Sequence, residues 1–428
     1  MARVYSPAGS LRVRKSAAKV REDWGVGMAA RGNLLVGQSG GATAVINASL
    51  VGVIEAARAS AAVGTVAGMR GGIEGLLRDD LLDLGRQPAE VVARLRRTPS
   101  AALGTGRHKL AADELDAALG ALRRRDIRYF LYIGGNDSAD TAHRLHERAR
   151  EVGYDLCVIA IPKTIDNDLP HTDHCPGYGS IARFLALATR DAGRDTEASP
   201  QLYPVKIIEV MGRNAGWVAA ACALARDEAR DAPHLLFLPE RPPASFEALL
   251  AEIAAAVRDH GYCVAVVPET LRDATGLPIG GGASGFVDAF GHAYYPGIAP
   301  LLTERIATAL GLRARYDKPG TIARMSMVAV SETDLAEAEA AGREAVRRAT
   351  GGESDLMIAI ERADDEPYRV SYGAVPLARI ANTERLLPDA FIGADGRSVT
   401  AAFRRYALPL LGAPLARYGR LEELGWGG

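Results

Sequence analysis

The sequence predicts an α/β protein built from two doubly wound, largely parallel sheets. Short apolar runs alternate with helical stretches along most of the chain. Runs such as Leu156–Ile161 and Cys263–Val267 are continuously apolar, as strands covered on both faces must be, rather than alternating in and out. The 428 residues, 48% of them hydrophobic, also exceed what one domain comfortably holds.

The elements follow in order. Residues 1–31 carry Arg3, Arg12, Arg14, Lys15, Lys19, Arg21 and Arg31 with little apolar periodicity, so a disordered basic arm is expected there. The arm has no apolar core of the kind a secretory signal needs, and Met28 is an alternative natural start. Asn33–Gln38 reads as a strand, Ser39-Gly40-Gly41 as a turn, and Ala44–Ala61 as the helix that this turn opens. Tyr129–Ile133 is a strand ending at Gly134-Gly135, with a helix near Ala139–Val152, and Leu156–Ile161 is a strand ending at Pro162. Val205–Val210 and Cys263–Val267 are further strands. Helices are expected near Ile181–Ala192, Ala215–Ala225, Phe246–Asp259, Pro300–Leu310 and Glu332–Arg348. In such sheets ligands bind beyond the carboxyl ends of the strands, where the polar motifs of this chain also fall.

Composition excludes several classes. The 51 basic and 52 acidic residues leave a net charge of −1, which gives no global field for nucleic acid or an anionic membrane. No apolar run is long enough to span a bilayer. Cys157, Cys175, Cys222 and Cys263 are scattered, which argues against a disulfide framework or a zinc ribbon and fits a reducing cytoplasm. The P-loop pattern is absent. Gly280–Gly285 matches the dinucleotide string, but no strand precedes it, so a loop is expected. His171, His174 and Cys175 cluster without a convincing further metal ligand.

Four segments could carry chemistry. Ser39-Gly40-Gly41 could turn backbone N–H groups toward an anion, or be a plain tight turn. Arg107, after the glycine-rich turn Leu103–Gly106, offers a phosphate a fixed fork of donors, or is a solvated surface residue. Gly134-Gly135-Asn136-Asp137-Ser138 sets polar groups at a strand end, unless Asp137 or Ser138 simply caps the following helix. The fourth, Pro162-Lys163-Thr164-Ile165-Asp166-Asn167-Asp168, brings two carboxylates, a cation and a hydroxyl to one strand-end loop. One carboxylate can accept a proton while the other helps bind a metal, and Lys163 is a point charge for phosphate oxygens. The alternative is a cluster of Asx turns.

PKTIDND (Pro162–Asp168), GGNDS (Gly134–Ser138), EVMGRNAGW (Glu209–Trp217), the Ser39-Gly40-Gly41 start and YDKPGTIAR (Tyr316–Arg324) together resemble the phosphofructokinase family. The resemblance runs from about Asn33 to near Ile360. It implies two α/β domains of that family's type: a phosphoryl-donor domain at residues 32–178 plus 324–382, and a sugar-phosphate domain at 179–323 plus 383–428. It also implies Mg2+ and a homodimer or homotetramer. Asp137 and Lys163 match the members that use inorganic pyrophosphate, where ATP-using members carry glycine at both places. By the same resemblance Asp166 takes the proton from the 1-hydroxyl of fructose 6-phosphate. Gly40, Gly41, Arg107, Gly135 and Asn136 hold the donor with Lys163. Thr164, Ile165, Met211, Gly212, Arg213, Glu269, Tyr316 and Arg324 shape the sugar-phosphate site, and Asn136 and Asp168 take the metal. Three residues depart from the pattern. Asn136 stands where an acidic magnesium ligand is common, Pro204 where a shorter bacterial relative offers an arginine to a neighbouring subunit, and Ala323 where glutamine is expected. The competing readings are an ATP-dependent enzyme, a sedoheptulose 7-phosphate kinase and a catalytically idle regulatory subunit.

Overall fold

The computed structural model describes residues 31–279 and 297–422. The basic arm up to residue 30, the alternative start at Met28 and the Gly280–Gly285 string lie outside the described residues.

Two sheets organise the chain. Their strands are β1 (Gly32–Gln38), β2 (Val63–Met69), β3 (Leu81–Asp83), β4 (Ile127–Gly134), β5 (Cys157–Pro162), β6 (Val205–Val210), β7 (Leu235–Leu236), β8 (Cys263–Pro268), β9 (Ala314–Asp317), β10 (Leu356–Asp365) and β11 (Tyr368–Pro376). The first sheet has the order β11-β10-β5-β4-β1-β2-β3 and the second the order β7-β8-β6-β9. The pairings from β10 through β5, β4 and β1 to β2 are parallel, and the two edge strands β11 and β3 are antiparallel. The second sheet is parallel throughout.

Burial on both faces explains the continuous apolar runs. In β4, Tyr129, Leu131 and Ile133 pack into one core while Phe130 and Tyr132 pack into the core on the opposite face. In β8, Cys263, Ala265 and Val267 face one core and Val264 and Val266 the other. Each fully buried aliphatic side chain of this kind contributes about 2 kcal/mol through area removed from water. In the first sheet β1 lies between β2 and β4, so the chain leaves β1 in one direction and later fills the other side. This reversal opens a crevice at the carboxyl ends of β1 and β4, the place where doubly wound sheets bind ligands. The second sheet reverses in the same way around β6, which lies between β8 and β9.

Two local expectations are corrected. Ser39-Gly40-Gly41 does not open a helix, because the helix after β1 is Ile46–Ala59. The intervening stretch is held instead by buried polar groups. Gln38 Nε2 donates to Asn47 Oδ1 at 3.0 Å, and Gln38 Oε1 accepts the Leu103 N–H at 2.9 Å. Neither Asp137 nor Ser138 caps a helix, since the helix Asn136–Glu151 begins one residue after Gly135 and has no side-chain cap. Asp137 therefore lies in the first turn, and its N–H donates to Asn136 Oδ1 at 2.8 Å. Strands β2, β3, β7 and β9 and the β10–β11 hairpin were not anticipated. β2 holds two glycines, and β10–β11 alternates charged residues toward solvent over its outer half.

Within the His171–Cys175 cluster, His174 is held by ion pairing. His174 is buried, with Nδ1 2.8 Å from Asp173 Oδ1 and Nε2 2.6 Å from Glu337 Oε2. Arg362 pairs with the same Asp173, and the Tyr368 hydroxyl donates to Glu337. Burial opposes the imidazolium, but Glu337 and Asp173 outweigh it and raise the His174 pKa to about 9. A folded pKa above the unfolded value adds stability that is complete below about 6.5 and lost as pH rises through about 9. Thermal melts should therefore show the midpoint falling from about pH 7 to pH 10, and His174→Gln should flatten that fall. An equally steep fall in the variant would assign it elsewhere.

Candidate active site

The carboxyl ends of both sheets face one cavity of about 250 Å³. Its walls include Gly40, Gly41 and Arg107, the Gly135–Ser138 turn, Lys163–Asp166 with Asp168, Met211–Ala215, Glu269, Arg324 and Glu384. Of the residues expected at the site, the structure brings together all but Tyr316. That residue lies on edge strand β9, 45% exposed, outside the cavity lining.

One wall is a cationic cradle over two glycines. Gly40 has φ +75°, and a Cβ there would lie 3.0 Å from Lys163 Nζ. A Cβ on Gly41 would lie 2.6 Å from Arg324 Nη1. Glycine at both places makes room for the two cations. Lys163 is buried and its Nζ donates to the Gly41 carbonyl at 2.8 Å. The Gly40 N–H is occupied, donating to Gly106 O at 3.2 Å, so Gly40 offers the cavity space rather than a donor. The same bond, with Thr105 Oγ1 donating to Gly40 O at 2.6 Å, docks the turn that presents Arg107. Arg324 Nε is buried without a hydrogen-bond partner, an unmet donor beside the cavity. Arg324, expected at the sugar phosphate, thus stands on the glycine wall, where its carbonyl accepts the Ala44 N–H at 2.8 Å. Burial, with Arg324 adding its repulsion, lowers the Lys163 pKa to about 8.

The opposite chemistry sits on the loop after β5. Lys163 N–H donates to Gly134 O at 3.0 Å, so the two strand ends leave the sheet side by side. Asp166 N–H donates to Thr164 Oγ1 at 3.1 Å, which turns the Asp166 carboxylate into the cavity wall. Desolvation in this recess raises its pKa to about 7, with Asp168 and Glu269 adding to the shift and Arg213 and Lys163 opposing it. Burial raises Asp168 too, and Glu384 adds to that. The second sheet supplies the facing wall from adjacent strands β6 and β8. Arg213 Nε lies 4.0 Å from Glu269 Oε1, Thr270 Oγ1 donates to Arg213 O at 2.7 Å, and burial raises the Glu269 pKa. The cavity thus sets a recessed carboxylate of raised pKa between a cationic phosphate-sized cradle and an Arg–Glu wall suited to a polar, anionic acceptor.

For a cation the cavity offers the Asp168 carboxylate and the Asn136 amide, whose oxygen already accepts one N–H. No group of three or more His, Cys, Asp or Glu side chains suited to a metal occurs among the described residues. That donor set fits a hard cation that keeps waters and shares phosphate oxygens, not a closed protein cage. Sequence reasoning missed Thr43, Asn214 and Glu384 as wall residues. Asn214 sits inside the quoted run Glu209–Trp217, while nothing in the local sequence marks Glu384.

The sequence profile described as Phosphofructokinase matches residues 33–348. The chain is 43% identical over 398 residues to the pyrophosphate--fructose 6-phosphate 1-phosphotransferase of Xanthomonas campestris pv. campestris, covering 91% of this chain and 94% of that one. It is 43% identical over 393 residues to the enzyme of the same name from Methylococcus capsulatus, covering 90% and 92%. The crystal structure of a pyrophosphate-dependent phosphofructokinase from Nitrosospira multiformis superposes with a TM-score of 0.82 at 36% identity, covering 91% of this chain and 94% of that one. This chain belongs to the phosphofructokinase family.

Proposed function

We propose that the chain transfers a phosphoryl group from inorganic pyrophosphate to the 1-hydroxyl of fructose 6-phosphate. The products are fructose 1,6-bisphosphate and phosphate, in a reversible, Mg2+-dependent step of glycolysis in the cytoplasm. The observation that carries the donor is the pair Asp137 and Lys163 on one cavity. A carboxylate at 137 fills and repels the space an ATP α-phosphate would need, while Lys163 answers the high charge of pyrophosphate.

In this reading Lys163, Arg107, Arg324 and the backbone around Gly41 and Gly135 hold the phosphates. Thr164, Ile165, Met211, Gly212, Arg213 and Glu269 hold the sugar phosphate. Asp166 accepts the hydroxyl proton as the oxygen attacks phosphorus in line. Asp168, with Asn136 as a weaker partner, would hold Mg2+, which when bound offsets the negative charge of the phosphates. The two-domain division at residues 32–178 plus 324–382 and 179–323 plus 383–428 is supported by strands β1–β5 and β10–β11 forming one sheet and β6–β9 the other. Exposed edge strand β9, carrying Tyr316, supports a homodimer or homotetramer. The four free, buried cysteines are consistent with a cytoplasmic location.

The assay that tests the proposal offers purified protein, with Mg2+, each pairing of fructose 6-phosphate or sedoheptulose 7-phosphate with pyrophosphate or ATP. Pyrophosphate should exceed ATP in kcat/KM by at least about 100-fold, with fructose 6-phosphate the better acceptor. A preference for ATP would overturn the donor, and a preference for the seven-carbon sugar the acceptor.

A further inference from the structure

The loop bearing Asp166 and Asp168 is not held by its own residues alone. Between the two carboxylates stands Asn167, fully buried at φ +54°, a left-handed conformation that asparagine adopts more readily than other residues with a side chain. Its carbonyl accepts from Arg385 twice, from Nη2 at 2.8 Å and Nε at 3.2 Å. Arg385 Nη1 also donates to Thr172 O at 2.6 Å and Asp173 O at 2.8 Å. The Arg385 backbone N–H donates to Asp168 O at 2.6 Å. The guanidinium lies 4.6 Å from the Trp217 ring centroid, and Trp217 Nε1 donates to Arg385 O at 3.0 Å. Next to it, Glu384 reaches the opposite wall, where it accepts from Asn214 Nδ2 at 3.1 and 3.0 Å, beside Arg213. Both residues lie beyond the 33–348 stretch that the family profile matches.

We propose that Arg385 is a positioning residue for phosphoryl transfer, fixing the carbonyls around Asn167 and thereby the aim of Asp166 and Asp168. Glu384, through Asn214, ties the wall beside Arg213 to the same segment. The inference rests on the reading of Asp166 as the base. Its physical ground is geometric: a planar guanidinium can serve three carbonyls at once, and the compact ammonium of lysine cannot reproduce that fork. Arg385 does not itself line the cavity, so it acts through the loop. A displacement of about 1 Å at the reacting group is enough to cost about 100-fold in rate.

The test compares Arg385→Met, Arg385→Lys, Asp166→Ser and the double variant Arg385→Met/Asp166→Ser in the full chain. Arg385→Met should lower kcat by about 100-fold while both KM values stay within about threefold, and Arg385→Lys should lose about tenfold. In the Asp166→Ser background Arg385→Met should add at most about tenfold, because the base it aims is gone and only the aim of Asp168 is left to lose. Arg385→Met turnover within about threefold of the parent, or full multiplication in the double variant, overturns the inference. Should Arg385→Met fail to fold by circular dichroism, Arg385→Lys decides: kcat within about threefold of the parent is then the overturning result. Parent-like turnover in Asp166→Ser would overturn the base assignment and this inference with it. Parent-like Arg385→Met beside an inactive Asp166→Ser overturns this inference alone.

Discussion

Asp166→Ser is expected to lower kcat by about 10³- to 10⁴-fold, with KM for both substrates moving less than about threefold. The reason lies in what surrounds the carboxylate. It is recessed among Asp168, Glu269, Arg213 and Lys163, and desolvation brings its pKa to about 7, near the range where a base both exists ionised and accepts a proton readily. Serine keeps a small polar side chain but cannot take the proton. The cradle at Gly40 and Gly41 and the Arg213–Glu269 wall stay intact, so binding should persist. A base with a raised pKa is active only when ionised, so kcat/KM of the parent should fall as pH drops through about 7. An Asp166→Ser variant turning over within about tenfold of the parent would show that another group takes the proton.

Lys163→Met carries the second large effect, a loss of about 10²- to 10³-fold in kcat with pyrophosphate. Its ammonium stands over Gly40, bound to the Gly41 carbonyl, in a site already shared with Arg107 and Arg324. Transfer concentrates negative charge on the phosphates, and a desolvated cation held there stabilises it without reorganisation. Stability should move the other way. The environment lowers the Lys163 pKa to about 8, so the folded protein holds the charged form at a cost, and an apolar side chain of similar length relieves it. The melting midpoint of Lys163→Met should therefore equal or exceed that of the parent. A variant that loses activity and melts several degrees lower would point to a structural defect instead.

The parts of this site that were legible in the sequence share one property. Pro162–Asp168 and Gly134–Ser138 each follow a strand whose apolar run is unbroken, or nearly so, so a polar residue there had to lie at a strand end, whereas β6, before Met211–Arg213, carries Lys206 and Glu209 and the site there is marked by its motif. The core strands were legible for the same reason, since burial on both faces leaves few polar positions within them. Less was legible where tertiary contacts decide. Gln38 and Asn47 hold the chain after Gly41 out of the helix until Ile46, and no periodicity encodes that. β2 is interrupted by Gly64 and Gly68, and β9 is four residues long at an edge. Tyr316 was assigned through its motif, but its strand keeps it out of the cavity. Glu384 and Arg385 were invisible, because what they bind is an amide of the opposite wall and main-chain carbonyls of a distant loop.

That last distance has a consequence for biosynthesis. Arg385 reaches back 218 residues to the Asn167 carbonyl. At about 5–20 residues per second, a ribosome needs roughly ten to forty seconds to travel that far. The first sheet also waits for β10, which joins β5 only after the whole second sheet has been made. Throughout that interval the loop with two carboxylates lacks its clamp, and closing a segment of this length also carries a loop-entropy cost. On the proposed role of Arg385, catalytic competence is among the last properties the nascent chain acquires. A chain cut short just before Glu384 would contain every strand among the described residues, yet lack both the proposed clamp and the core residues Phe403, Leu410 and Leu411.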